Sequence, residues 1–283
     1  MGYADFKVTA DIVRKRTQIL LNGDDFRGIK TGFADLDTRI SGFRDGDLIL
    51  VGGRPSMGKT AFALNLLENM AIEGEQTCLY FSMEVSAPML IERLIKEVAQ
   101  VGVYRKHIPD DEQRRKISEA ARRMEECRIL IDDTPGLSVE ELAERIRHYG
   151  TDHDIDFILV DYLQLLHSEP EADSCKCEMD AIMERLKCVA REMDCPVLIL
   201  SQIGRSVERR KNHRPLITDL KESDSICSYA DVIIFLYRDE YYDCDSKRKG
   251  IMELIVAKDI MGYPGTLELG YRSDCCKLSN LTA

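Results

Sequence analysis

The run Gly53-Arg54-Pro55-Ser56-Met57-Gly58-Lys59-Thr60 has the spacing Gly-x-x-x-x-Gly-Lys-Thr. Glycine suits such a loop because backbone N–H groups must turn inward to wrap a phosphate. A helix opening near Gly58 aims the positive end of its dipole at the same anion. Lys59 then supplies a point charge for the β and γ phosphates, and Thr60 offers a hydroxyl to magnesium. Chance matches of this pattern sit in ordinary turns. This one follows an apolar strand pattern at residues 47–53 and opens a helical one, which is the context that phosphate binding requires.

Three further side chains fall where strands end. Asp161 closes the run Phe157-Ile158-Leu159-Val160, where a carboxylate can hold magnesium through water; alone it would be a turn residue. Glu84 follows the apolar residues 78–81 and is placed either to orient and deprotonate an attacking water or simply to favour a helix N-terminus. Gln202 follows the strand pattern of residues 196–201, and its amide is either a sensor of the γ-phosphate or a plain polar loop residue. Beyond it come Arg205, Arg209, Arg210, Lys211 and Arg214, opposed between 205 and 214 only by Glu208. With no helical apolar face, this segment reads as a mobile basic loop suited to a phosphate backbone, against the plainer reading of a solvated charged loop.

The elements that must position these groups alternate. Strand patterns are expected at 47–53, 77–82, 128–132, 156–161, 196–201, 231–237, 251–258 and 266–271, and helices at 58–73, 86–99, 110–127, 138–149 and about 177–194. Ser138 with Glu141 three residues on predicts a capping box. Fully apolar strands separated by helices imply an α/β fold, a largely parallel sheet covered on both faces, with ligands at the carboxyl ends of strands. The last three strands are expected to include hairpins. Ahead of this domain, residues 7–21 have a short amphipathic helical pattern suited to packing on a partner, and residues 22–30 read as a linker. The expected organisation is therefore a linker helix and linker over residues 1–27 and one main domain over 28–283.

Composition narrows the class. The chain has 283 residues, 44% hydrophobic and 31% charged, and a net charge of -11, which excludes a body coated with nucleic-acid-binding charge but not a local basic patch. No apolar run approaches the ~20 residues of a membrane helix. The N-terminus is too polar and acidic for a signal peptide, so a cytosolic protein is expected. The ten cysteines lack zinc-knuckle spacing and are expected to be reduced, mostly buried thiols.

Taken together, the segments TGFADLD, GRPSMGKTAFALN, FSMEVSAPML, IDDTPGLSVEEL, ILVDYLQLL, SQIGRSVERR and DVIIFLYRDEYY resemble, in order, the motor domain of the bacterial replicative hexameric helicases of the DnaB type. The resemblance runs from about residue 28 to the C-terminus. It implies a RecA-like phosphate-loop core, ATP and Mg2+ held between neighbouring subunits of a homo-oligomeric, hexameric ring, and single-stranded DNA through the centre. By the same resemblance Glu84 is the catalytic glutamate, Asp161 the magnesium-site aspartate, Gln202 the γ-phosphate sensor and Lys258 a cation reaching toward the neighbour's γ-phosphate. The channel loops fall on Arg205 to Arg214 and on residues 219–224, which include Lys221 and Glu222. Residues 7–21 would dock on the adjacent subunit, a helicase loader is a further implied partner, and no primase contact is expected without the family's collar domain. Three positions depart from the family pattern. Ile260 stands at its trans-acting arginine and Asp224 at a loop glycine, and residues 225–229 lack its usual acidic residues. Ile260 and Asp224 motivate an alternative, an ATP-binding, ring-associated regulatory subunit with slow hydrolysis.

Overall fold

The computed structural model describes residues 28–102, 108–168 and 177–281, with Thr17 standing apart. The expected helix over residues 7–21 therefore lies outside the described residues.

The chain opens with a short helix α1 (Ala34–Ile40) and enters strand β1 (Leu48–Gly53), which is buried along its whole length. Its apolar residues alternate between two cores: Ile49 and Val51 join one cluster with Phe62, Leu66 and Tyr80, while Leu48 and Leu50 join another with Leu142, Ile158 and Leu186. Period-two geometry sends successive side chains to opposite faces, so a strand apolar at every position must be covered on both. Each fully buried leucine or isoleucine stabilises the fold by about 1.5–3 kcal/mol relative to exposure. That burial fixes the strand end from which the phosphate loop departs.

The remaining elements follow as α2 (Lys59–Leu67), β2 (Cys78–Ser82), α3 (Ala87–Val98), α4 (Asp111–Glu125), β3 (Ile129–Asp132), α5 (Val139–Asp152), β4 (Phe157–Asp161), α6 (Glu178–Met193), β5 (Val197–Gln202), α7 (Ser223–Tyr229), β6 (Val232–Tyr237), β7 (Ile251–Asp259), β8 (Gly265–Arg272) and β9 (Lys277–Asn280). One nine-stranded sheet has the order β3-β2-β4-β5-β1-β6-β7-β8-β9. Pairing is parallel from β3 to β6 and antiparallel from β6 to β9. The α/β, largely parallel reading therefore holds, with the expected hairpins at its C-terminal edge. β1 lies between β5 and β6, and β2 follows it in sequence but pairs with β3 and β4. The chain reverses its direction of winding there, which opens a crevice at the strand ends.

Several local expectations need correction. The single amphipathic helix expected over 58–73 is an α-helix to Leu67 continued by a π-helical segment, Glu68–Glu73, and residues 61–67 are all buried. α2 packs along the sheet as far as its C-terminal edge, where Asn65 bonds the backbone of Cys276 and Leu278, so residues 61–67 have no solvent face to keep polar. The short elements α1, α7 and β9 had no periodic signal long enough to stand out. The capping box forms as expected: Ser138 Oγ accepts from Glu141 N at 3.1 Å and Glu141 Oε2 accepts from Ser138 N at 3.0 Å. A second one, Asp110 with Gln113, opens α4. All nine cysteines among the described residues are free thiols, but only Cys78, Cys195 and Cys275 are buried, so the expectation of mostly buried thiols fails.

Candidate nucleotide and nucleic-acid sites

The phosphate loop leaves β1 at Gly53 and meets α2 at Lys59. Its backbone is left-handed at Ser56 (φ 64°) and Gly58 (φ 99°). Such reversals of hand gather successive N–H groups into an anion-binding concavity. At Gly58 the positive φ disfavours any side chain, and a Cβ would also displace the flexible end of Met252 on β7, 2.8 Å away. The loop thus ends on the N-terminus of a nine-residue helix in the orientation expected for phosphate.

The strand register gathers the other candidates around it. Gly53 pairs with Gln202 across β1 and β5, and Ser82 pairs with Asp161 across β2 and β4, which sets Glu84 just beyond that end. Thr60 Oγ1 donates to Asp161 Oδ2 at 3.2 Å, and Tyr80 Oη donates to the same oxygen at 2.9 Å. Burial raises the Asp161 carboxyl above its ordinary range, and the Glu84 charge adds to this, while the Tyr80 and Thr60 hydrogen bonds and Lys59 oppose it. Burial likewise pulls the Lys59 ammonium down, aided by Arg54 and opposed by Asp161 and Glu84. Lys59 Nζ donates to the carbonyls of Gly53 at 3.1 Å and Arg54 at 3.4 Å. A hydroxyl and a desolvated carboxylate side by side form an all-oxygen donor pair, the hard donor chemistry magnesium takes while keeping its own waters. The residues present fit that ion.

Neighbours that the sequence reading missed hold these groups in place. Tyr80 fixes the Asp161 carboxylate; its only sequence signal was a hydroxyl within an otherwise apolar strand. Gln164, in the turn after β4, clamps the end of β5: its Nε2 donates to Ser201 Oγ at 2.9 Å and its Oε1 accepts from Gln202 N at 3.0 Å. Arg238 donates to Ser56 O at 3.3 Å and lies over the Tyr271 ring, 4.3 Å from its centroid.

The basic segment is more ordered than a mobile loop. Arg205–Arg209 is a 3-10 turn with Val207 buried beneath it. Arg210 pairs with both carboxylate oxygens of Asp219, and Arg214 forks onto Glu253 at 2.7 and 3.0 Å and lies 4.7 Å from the centroid of the Tyr237 ring. Asp219 is 3% exposed and also accepts from Ser206 Oγ and Leu216 N, so it is the internal tie between the two candidate channel loops. Arg205, Arg209 and Lys211 are exposed, as are Lys221 and Glu222, which pair with each other at 3.7 Å. Asp224 lies in the first turn of α7, where a carboxylate complements the helix dipole.

Lys258 and Ile260 sit at the far end of β7. Lys258 Nζ donates to Cys227 O and Ala230 O at 2.6 Å each, satisfying carbonyls at the end of α7 within its own chain. Ile260 is 53% exposed on the β7–β8 turn. Among the candidates, therefore, the phosphate loop, Glu84, Asp161 and Gln202 converge at adjoining strand ends, the exposed cations form a neighbouring surface, and Lys258 faces inward.

Residues 28–280 match the model of the DnaB-like helicase C terminal domain family. The chain is 38% identical over 260 residues to the replicative DNA helicase DnaC of Bacillus subtilis (strain 168), covering 91% of this chain and 57% of that protein. It is 38% identical over 270 residues to the replicative DNA helicase DnaB of Geobacillus stearothermophilus, covering 93% and 59% respectively. Among solved structures, one ATPase domain superposes with a TM-score of 0.90 at 32% identity, covering 99% of this chain and 100% of that one. A DnaB-like replicative helicase, described with its interactions with primase, superposes with a TM-score of 0.89 at 32% identity, covering 98% of this chain and 69% of that one. The chain belongs to the DnaB-like helicase C-terminal domain family and has its RecA-like fold. It spans a little under three-fifths of the length of the two helicases just named.

Proposed function

We propose that this chain is the ATP-hydrolysing motor of a replicative helicase, moving along single-stranded DNA as part of a homo-oligomeric, hexameric ring in the cytoplasm. One observation carries the enzymatic half. Thr60 bonds Asp161 at the mouth of the phosphate loop, Lys59 lies on the Gly53 and Arg54 carbonyls beside them, and the pairing of Ser82 with Asp161 brings the end of β2, just before Glu84, to the same place.

In this reading the phosphate-loop N–H groups and Lys59 bind the nucleotide's phosphates, and Thr60 and Asp161 hold magnesium. The bound ion neutralises phosphate charge. Tyr80 keeps the Asp161 carboxylate turned toward Thr60. Glu84 accepts a proton from the attacking water, a step of general-base type worth about 10²–10⁴ in rate. Gln202, with its backbone held by Gln164, follows the γ-phosphate from the end of β5. Arg205, Arg209, Lys211 and Lys221 carry the nucleic-acid contacts, while Arg210 and Arg214 hold that surface in shape. Residues 7–21 dock on the adjacent subunit, and a loader brings the ring to DNA. Lys258 reaches the neighbour's γ-phosphate only by giving up its bonds to α7, which makes ring assembly and that release one event.

The motor reading is favoured over a binding-only subunit because both named proteins are replicative DNA helicases and the match to them covers 91% and 93% of this chain. The test is Glu84→Gln. It should keep nucleotide binding and lose hydrolysis by about 10²–10⁴-fold in a steady-state ATPase assay. Hydrolysis undiminished by that change would remove Glu84 as the base.

A further inference from the structure

A single side chain bridges the phosphate loop and the basic segment. Arg54 lies within the phosphate loop, yet its Nε and Nη2 donate to Glu208 Oε1 at 3.0 and 2.6 Å and its Nη1 donates to Ile203 O at 3.1 Å. Glu208 is the only carboxylate between residues 205 and 214, and Ile203 is the residue from which that segment starts. The Arg54 side chain is largely enclosed. Three N–H groups on two acceptors, one the Ile203 backbone carbonyl and the other the exposed Glu208 carboxylate, orient a planar guanidinium in a way an ammonium could not.

The backbone adds a second tie at the same place. Gly53 O accepts from Ile203 N at 3.4 Å and from Lys59 Nζ at 3.1 Å, and Lys59 Nζ also reaches Arg54 O at 3.4 Å. The lysine that meets phosphate therefore holds the two carbonyls at the root of the bridge. At its other end the segment is anchored by the Arg210–Asp219 and Arg214–Glu253 pairs and by stacking of His213 on Tyr242 at 4.3 Å. The exposed cations Arg205 and Arg209 lie between these ties, and exposed Lys211 lies just beyond Arg210.

We infer that Arg54 and Glu208 are positioning residues forming a latch that couples nucleotide occupancy to nucleic-acid affinity. A phosphate that draws Lys59 away from the carbonyls of Gly53 and Arg54 shifts the phosphate loop. The guanidinium fork passes that shift to residues 203–208, and the exposed cations change their spacing. The inference rests on the proposed function, because it needs nucleotide at the loop and single-stranded nucleic acid at the basic segment. Coupling between two such sites is reciprocal and commonly amounts to about 5–150-fold in affinity.

The experiment titrates a fluorescein-labelled oligothymidylate into the full chain with magnesium, with and without a non-hydrolysable ATP analogue, for wild type, Glu208→Gln and Glu208→Asp. Wild type should show an affinity ratio of at least about fivefold between the two conditions. Both variants should still bind each ligand alone, with the ratio collapsing toward one. Glu208→Asp keeps the charge and loses the reach, so its loss of coupling separates the latch from the net charge of the segment. Hydrogen exchange over residues 203–214 supplies a readout that needs no DNA: the analogue should alter exchange there in wild type and not in the variants. An unchanged ratio and unchanged exchange response in both variants overturn the latch and leave the proposed function standing. A wild-type chain that binds the analogue but no oligothymidylate overturns the nucleic-acid half of that function, and the exchange response then decides the latch by itself.

Discussion

The strand ends around Gly53 and the segment from Arg205 to Arg214 both display charge, but they settle it in opposite ways. At the strand ends Lys59, Asp161 and Glu84 lie together, and burial pushes Lys59 and Asp161 away from their charged forms. In the basic segment Arg210 and Arg214 are matched by the buried carboxylates of Asp219 and Glu253, which hold them in their charged form. Imperfectly compensated charge on rigid elements marks a place prepared for a ligand. Charge matched by partners from distant sequence is structural. A run of arginines therefore overstates a binding surface unless each one is followed to its partner.

That contrast can be broken first at the strand ends. Asp161→Asn should remove most magnesium-dependent ATP hydrolysis, a loss on the order of 10²-fold or more given what metal positioning contributes, with folding retained because Tyr80 and Thr60 can still bond the amide. Activity that stays magnesium-dependent and undiminished would detach Asp161 from the metal.

Next in size is the division among the arginines. Arg210→Ala leaves Asp219 buried without its cation and should cost about 2–3 kcal/mol in chemical denaturation, discounted for the partial exposure of Arg210. Arg209→Ala should cost less than about 0.5 kcal/mol yet lower the salt dependence of single-stranded DNA binding by a slope of about 0.7. The reverse ranking, with Arg209 needed for stability and Arg210 for salt-sensitive binding, would erase the distinction drawn between them.

The smallest effect concerns Glu97, buried on α3 away from either site. Burial first, then the charge of Glu68, raise its carboxyl well above the ordinary 4.5, while Lys277 opposes them. A carboxyl raised in the folded state contributes stability that is present below its unfolded value and lost as pH climbs through the folded one. Wild type should therefore lose Tm relative to Glu97→Gln as pH moves from mildly acidic to alkaline, and a gap that stays constant with pH would place the charged form in the folded protein.

The same contrast explains what the sequence made legible. Apolar runs of four to six residues and the Gly-x-x-x-x-Gly-Lys-Thr spacing are local patterns, so β1, β2, β4, β5 and the positions of Glu84, Asp161 and Gln202 could be read from short windows. Ser138 with Glu141 was legible for the same reason. Tyr80 on Asp161, Gln164 on Gln202, Arg54 on Glu208 and Arg214 on Glu253 join residues 38 to 154 positions apart, and no window contains both partners. The inward turn of Lys258 onto α7 was hidden likewise, because α7 itself is only seven residues long. The helix that contains Asp224 was hidden for the same reason.

In the proposed function the charge cluster at the strand ends drives a motor that responds to nucleic acid. Its most direct test is the steady-state ATPase rate of the whole chain with magnesium, measured with and without single-stranded DNA. Turnover should rise several-fold when single-stranded DNA is added. A chain that binds ATP but turns it over at a rate indifferent to DNA would contradict it.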